Sequence, residues 1–217
     1  MPGNQSSPRI VDLTMPLEPD MPAYPGEPSV RFTPFTTIER DGVAMASVGL
    51  FSQIGTHVDA PAHFVPGTRT VERLDLAKCV GPATMLRLGT LAPGSVIGAS
   101  HLMPFGPRLG AGARVILSTG WSSRAGTASY FQDWPVLGED AVHLLDEAGI
   151  DFLGLDTPSP GTDITNVRLH SLLFRREIVL AECLVNVDLL PDRFELICLP
   201  LPLAGLDGSP VRAIARV

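Results

Sequence analysis

Gln53-Ile54-Gly55-Thr56-His57-Val58-Asp59-Ala60-Pro61-Ala62-His63 holds two of the chain's five histidines. His57, Asp59, Pro61 and His63 follow one another at intervals of two. In an extended chain, residues i, i+2 and i+4 project to one face. His57 and Asp59 are therefore expected to point together, with His63 close by if the chain stays extended past Pro61. Neutral imidazole and carboxylate are ordinary ligands of Zn²⁺ and Mn²⁺, and Gly55 lets the backbone bend or approach closely just before them. The pattern fits a metal or catalytic centre; its alternative is a polar strand edge with satisfied histidines.

Around this stretch the apolar residues form short runs. Residues 9–13, 30–38, 45–51, 82–88, 114–117, 150–155, 178–181, 194–199 and 211–217 read as strands. The clearest helix covers residues 139–148, with Glu139 and Asp140 in its first turn, Ala141, Leu144, Leu145 and Ala148 at helical spacing, and Gly149 as the stop. A second, short helix is expected over 168–174. There Leu169, Leu172 and Leu173 share a face and His170 lies opposite, as a ligand or as an exposed helix histidine. Pro16, Pro19, Pro22, Pro25 and Pro28 recur every third residue. Met15, Leu17, Met21 and Tyr24 interleave with them, which favours a loop hugging the surface over a polyproline segment for a partner domain. Tyr24 is either a loop anchor or a pocket aromatic.

Composition agrees. The chain has 217 residues with 21 Gly and 21 Pro, 45% hydrophobic and 18% charged residues. That excludes disorder, collagen and long-helix proteins, and leaves one compact, turn-rich, strand-built domain over 1–217. The net charge is −7 and the basic residues are scattered, which argues against nucleic acid. Cys79, Cys183 and Cys198 form no CxxC pair, and Cys183 and Cys198, in apolar stretches, read as buried small hydrophobes. No apolar leader region occurs near the start and no apolar run is long enough to span a membrane, so a reducing cytoplasm is the expected location. Gly110-Ala111-Gly112-Ala113 lacks the dinucleotide pattern, and no G-x-S-x-G surrounds Ser118.

The central stretch resembles the HxGTHxDxPxH signature of the cyclase family, which includes bacterial kynurenine formamidases and isatin hydrolases. The resemblance extends along the chain. It takes in Asp12-Leu13-Thr14, Pro22-Ala23-Tyr24-Pro25-Gly26, Ile116 to Trp121, Gly154-Leu155-Asp156-Thr157-Pro158-Ser159, His170 followed by Glu182, and Leu199 through Ala213 with Gly205-Leu206-Asp207-Gly208-Ser209-Pro210. It implies a mixed α/β, strand-rich swivelling β/β/α domain with a barrel-like sheet and few helices. It implies His57, Asp59, His170 and Glu182 as metal ligands, Asp59 and Glu182 reaching both of two ions, His63 as the proton carrier and Tyr24 as a substrate contact. Glu182 in an apolar run fits, because a buried carboxylate is costly unless paired or metal-bound.

Gln53 stands where the signature opens with His; its amide oxygen is a weaker ligand, so the expected cofactor is one or two divalent ions, Zn or Mn. The implied activity is hydrolysis of a C–N bond in a small aromatic formamide or lactam, by a homo-oligomer (dimer or tetramer). The other readings are a cyclase or lyase acting on a polyketide-like or cyclic compound, and a non-catalytic small-molecule binder.

Overall fold

The computed structural model describes residues 9–217. The stretch read as free of a leader region, Arg9 aside, lies outside the described residues. The strands are β1 (Ile10–Asp12), β2 (Arg31–Thr36), β3 (Met45–Gly49), β4 (His57–Asp59), β5 (Val80–Arg87), β6 (Val96–Ile97), β7 (Arg114–Ser118), β8 (Val136–Leu137), β9 (Phe152–Leu155), β10 (Val179–Glu182), β11 (Arg193–Ile197), β12 (Gly208–Pro210) and β13 (Ile214–Arg216). The helices are α1 (Ile38–Asp41), α2 (Leu76–Cys79), α3 (Ala99–Leu102), α4 (Glu139–Ala148) and α5 (Asn166–Phe174).

Nine strands form one sheet in the order β1-β13-β11-β5-β7-β9-β10-β4-β12. Its centre, β5-β7-β9-β10, is parallel, and its flanks are antiparallel. Parallel strands need both faces covered, and their side chains divide accordingly. Met85, Ile116, Phe152, Val179 and Ala181 enter one core with Val58, Leu196 and Ala215. Leu86, Val115, Leu117, Leu153 and Leu180 enter the other, under Val142 and Leu145 of α4 and Leu169 and Leu173 of α5. Burying each such side chain contributes about 1.5–3 kcal/mol.

The sheet is curled. β12 and β13 lie seven positions apart in the strand order, roughly 34 Å on a flat sheet at about 4.8 Å per strand. Only Val211, Arg212 and Ala213 join them, a reach of at most about 14 Å. The two ends of the sheet must therefore approach each other, giving the barrel-like form. The expected strand over 211–217 is accordingly split in two: Val211 N–H bonds Thr56 C=O at 3.0 Å on one side, and Ala213 C=O accepts from Leu13 N–H at 2.9 Å on the other.

Helix α4 has the predicted bounds, ending at Gly149 with φ +71°. Helix α5 begins two residues before the predicted start, because the Thr162–Thr165 turn already supplies its first bonds. The proline-spaced loop turns Met15 into a small aromatic core with Trp121, Tyr130 and Trp134, with Met21 and Tyr24 packed on it. The three cysteines are buried and unbridged. Strands β2 and β3 pair only with each other, exposing Phe32, Phe35, Ile38, Met45 and Val48. Among the described residues, no helix is long and apolar enough to cross a membrane.

Candidate metal centre and active-site pocket

The alternation anticipated in residues 57–59 is the observed one. Val58 points into the first core while His57 and Asp59 point to the face that α5 covers. In the antiparallel β4–β10 pairing, Glu182 stands opposite His57, so strand register delivers the second carboxylate. His170 descends from α5 onto the same spot. All four residues are buried, between 1% and 4% exposed. The exposed-histidine alternative for His170 does not hold. Phe64 stacks on the ring at 4.0 Å, closing the side that the leucine face of α5 leaves open.

Each imidazole is held by its Nδ1. His57 Nδ1 lies 2.8 Å from Gly55 C=O and His170 Nδ1 2.9 Å from Asn166 C=O. A carbonyl only accepts, so both Nδ1 atoms carry the hydrogen and both Nε2 atoms face the carboxylates. His57 Nε2 is 3.4 Å from Asp59 Oδ1 and 3.3 Å from Glu182 Oε2; His170 Nε2 is 3.4 Å from Asp59 Oδ2 and 3.4 Å from Glu182 Oε1. Each carboxylate thus turns one oxygen to each histidine. The donor atoms of His57, Asp59 and Glu182 all lie within 4.8 Å of one another. Both Asp59 oxygens and Glu182 Oε1 are buried without a hydrogen-bond partner.

Buried polar groups without partners are rare, and tied Nδ1 atoms with Nε2 aimed at carboxylates are how protein folds orient metal-binding histidines. The donor set fits a divalent cation. Electrostatics points the same way. Burial lowers the affinity of His57 and His170 for protons, but Asp59 and Glu182 overcome it, raising His57 well above its ordinary value and His170 to about 9. For Asp59, burial is outweighed by the two histidines and the carboxyl titrates far below its usual range. The carboxylates favour positive charge at this spot, which protons on the histidines or a divalent cation would supply.

Two backbone features set this geometry. Gly55 has φ +58°, and a Cβ there would meet Leu17 Cδ2 at 2.8 Å, so only glycine lets the loop close over the strand. Cys183, directly after Glu182, has φ +58° although it is not glycine. Thr56 secures it, its hydroxyl donating to Cys183 C=O at 2.6 Å while accepting Met15 N–H at 2.9 Å.

His57, His170 and Glu182 of the cluster line a cavity of about 330 Å³, at the small end of ligand pockets. His63, Gln53, Tyr24, Phe64 and Phe131 line it with Glu27 and Asp163. Tyr24 stands in the pocket wall, its hydroxyl bonding Asp163 and its ring packed edge-on against Phe131 and Trp134. Burial, reinforced by Glu182 and opposed by His57, pushes the Glu27 carboxyl up to about 7.

His63 is not part of the quartet. Its Nδ1 lies 2.9 Å from Asp207 Oδ2. Gln53 donates through Nε2 to the same oxygen at 2.8 Å, leaving its Oε1 buried and unpartnered. Asp207 resists its own burial because Gln53, Ser52 and His63 hold the carboxyl below its usual range. Sequence reasoning did not single out Asp207, Phe64, Phe131, Glu27 or Asp163. Phe64 had a signal, adjacency to His63; Asp207 stood inside the matched 199–213 segment, but nothing there tied it to His63, since only the β4–β12 pairing brings the two together.

A family profile described as "Cyclase" matches residues 11–162. The chain belongs to the cyclase family. Among curated members, it is 33% identical over 215 residues to the kynurenine formamidase of Salinibacter ruber, covering 95% of this chain and 97% of that one. It is 34% identical over 209 residues to the kynurenine formamidase of Bacillus anthracis, with coverages of 95% and 96%. Among solved structures, an isatin hydrolase bound to the product analogue thioisatinate superposes with a TM-score of 0.88 at 25% identity, covering 97% of this chain and 92% of that one. A "predicted metal-dependent hydrolase" from Bacillus stearothermophilus gives 0.82 at 25% identity, with coverages of 97% and 99%. The cyclase-family fold anticipated from the sequence is the fold observed.

Proposed function

We infer that the protein is a metal-dependent hydrolase of the C–N bond in a small aromatic amide, formamide or lactam, similar in activity to kynurenine formamidase. The observation that carries this is the buried His57–Asp59–His170–Glu182 quartet, short of hydrogen-bond partners and opening into a pocket shared with His63. The kinship with kynurenine formamidases and an isatin hydrolase supports the substrate class.

His57, Asp59, His170 and Glu182 would hold the one or two divalent ions, Zn or Mn, of this reading, since their donor atoms converge and three of the carboxylate oxygens lack partners. Gln53 Oε1, its one free donor atom, is the neutral ligand available in place of the signature histidine. A bound ion supplies polarisation of the amide carbonyl and acidification of water. Everything else falls to the chain's own side chains. His63, with Nδ1–H on Asp207, presents Nε2 as the basic nitrogen. It takes a proton from the attacking water as the C–O bond forms and gives it to the leaving nitrogen as the C–N bond breaks. Phe64, Phe131 and Tyr24 supply flat apolar contacts for an aryl ring. Among the described residues, no Lys or Arg lines the cavity, so in this reading the ring and the amide are what the pocket grips.

Self-association belongs to this reading. An isolated two-stranded hairpin is marginal in water, and β2–β3 with the α1 turn between them exposes Phe35 at 70% and Ile38 at 66%. A second copy of the chain is the cover proposed for it, checked by the mass in sedimentation against the 23.1 kDa chain. A cytoplasmic location is part of the same proposal, and the absence of a disulfide among the described residues is compatible with it.

The test is turnover of N-formylkynurenine, isatin and simple lactones by protein reconstituted with Zn²⁺ or Mn²⁺. Hydrolysis of an aryl formamide or lactam, lost on chelation and lowered about 10²–10⁴-fold in His63→Ala, is expected. Activity on none of them, or near-normal turnover by His63→Ala, would refute the assignment.

A further inference from the structure

His63 is the only side chain in the pocket assigned to move protons, and it sits on a short 3-10 turn, Pro61–His63, not on a regular strand. A side chain there needs something to hold its ring. The structure provides three converging bonds. Asp207 Oδ2 lies 2.9 Å from His63 Nδ1 and accepts Gln53 Nε2–H at 2.8 Å, and Asp207 Oδ1 accepts the Ser52 hydroxyl at 2.8 Å. The backbone of Asp207 is fixed as well, its carbonyl accepting Ala60 N–H at 2.8 Å at the end of β4. The next residue, Gly208, keeps room for the Gln53 amide, since a Cβ there would lie 2.5 Å from Gln53 Nε2 and 2.8 Å from Val58 C=O.

We propose that Asp207 is the positioning residue of the proton carrier, locking His63 in the Nδ1–H tautomer with Nε2 turned free to the pocket, and that Ser52 and Gln53 are there to hold Asp207. The proposal rests on the reading of His63 as the proton carrier. The chemistry is direct. An ionised carboxylate only accepts, so the His63 nitrogen facing it must carry hydrogen, and in the neutral ring it is then the other nitrogen that has the lone pair. The two donors on Asp207 keep the carboxylate from rotating toward solvent. The Gln53 amide nitrogen is committed to this task whether or not its Oε1 also reaches an ion. A fixed tautomer and orientation are what a general base requires of its partner.

The experiment combines ¹⁵N-histidine NMR of the metal-free protein with steady-state kinetics of the metal-loaded protein. With five histidines in the chain, the His63 signals are assigned by their disappearance in His63→Gln. The wild type is expected to show His63 with a protonated Nδ1 and an unprotonated Nε2. Asp207→Asn is expected to shift it toward the Nε2–H form and to lower kcat about 10–100-fold. KM should stay within about twofold and bound metal should be unchanged. Ser52→Ala, which loosens the carboxylate without removing it, should move both readouts in the same direction by less, and stands in if Asp207→Asn fails to fold.

An Nε2–H His63 in the wild type, an Asp207→Asn protein with unchanged tautomer and kcat, or a loss of kcat matched by loss of metal would each overturn the proposal. The tautomer is read without substrate. Failure of every substrate would therefore count against the hydrolase assignment alone.

Discussion

Thr56→Val tests whether the site is built as described. The two side chains have the same shape, and Thr56 is 1% exposed, so the change removes little beyond one hydroxyl. That hydroxyl is the sole bond shown for two buried backbone groups: Met15 N–H, which starts the proline-spaced loop, and the carbonyl of Cys183, which follows Glu182. Leaving a buried group unsatisfied costs about 1–3 kcal/mol. Two of them at a mid-range value of about 2 kcal/mol each, less about 1 kcal/mol regained by burying a methyl in place of a hydroxyl, give a net loss of about 3 kcal/mol. Against a usual stability of about 5–15 kcal/mol the protein stays folded. At about 2–4 °C per kcal/mol for a chain of this size, Tm should fall by roughly 6–12 °C.

A second effect separates this account from simple loss of packing. Cys183 is held in a left-handed conformation that a non-glycine residue adopts at a cost of about 1–3 kcal/mol. Released, it relaxes and turns Glu182 away from His57. Metal affinity should fall along with Tm, whereas Thr56→Ser, which keeps the hydroxyl, should preserve the affinity and lose only about 1 kcal/mol. Calorimetric melts and metal titrations of the three proteins measure both. A Thr56→Val protein melting within about 2 °C of wild type, with unchanged metal affinity, would refute the reasoning.

Three other outcomes follow from the same geometry. The metal-free protein should lose stability as pH rises: His170, at about 9 in the folded state against 6.5 unfolded, contributes fully below pH 6.5 and ceases to contribute as pH passes about 9, on the order of 3 kcal/mol in all. Melts across pH 6 to 9.5 check the sign, and a flat or rising profile would contradict it. Glu182→Gln keeps the shape but removes a ligand charge, and dialysis against buffered metal should show affinity lowered by more than the about 10–100-fold typical of outer partners; wild-type affinity would remove Glu182 from the metal site. Gly208→Ala drives a methyl against Val58 C=O and the Gln53 amide. It should cost about 1–3 kcal/mol and lower kcat even well below its Tm, seen by melts and steady-state rates; unchanged kcat would mean that Gln53 need not sit where it does.

Much of this was legible in the sequence because strand periodicity is a local property. The alternation of His57, Val58 and Asp59 across β4 follows from spacing alone, and so do the bounds of α4, marked by its acidic first turn and Gly149. The burial of His170 was not legible: the leucine face of α5 points it outward on a helical wheel, and Phe64, a hundred residues away, covers it. Nor was the break of the last strand, since nothing in residues 211–217 reveals that the sheet curls until β12 and β13 stand three residues apart. Asp207 is the clearest case. It sits among turn residues, and its role depends on three donors from the 52–63 segment meeting one carboxylate, which only long-range strand pairing arranges.

The central claim is that water is added across a C–N bond. The most direct measurement is therefore turnover of an aryl formamide by the metal-loaded protein in ¹⁸O-water, with mass analysis of both products over the first few per cent of reaction. The account predicts one solvent oxygen in the acyl product, none in the released amine, and no turnover after chelation. A product of unchanged elemental composition and without ¹⁸O would show a cyclase or lyase, and turnover undiminished by complete metal removal would show that the His57–Asp59–His170–Glu182 cluster does not act through a metal.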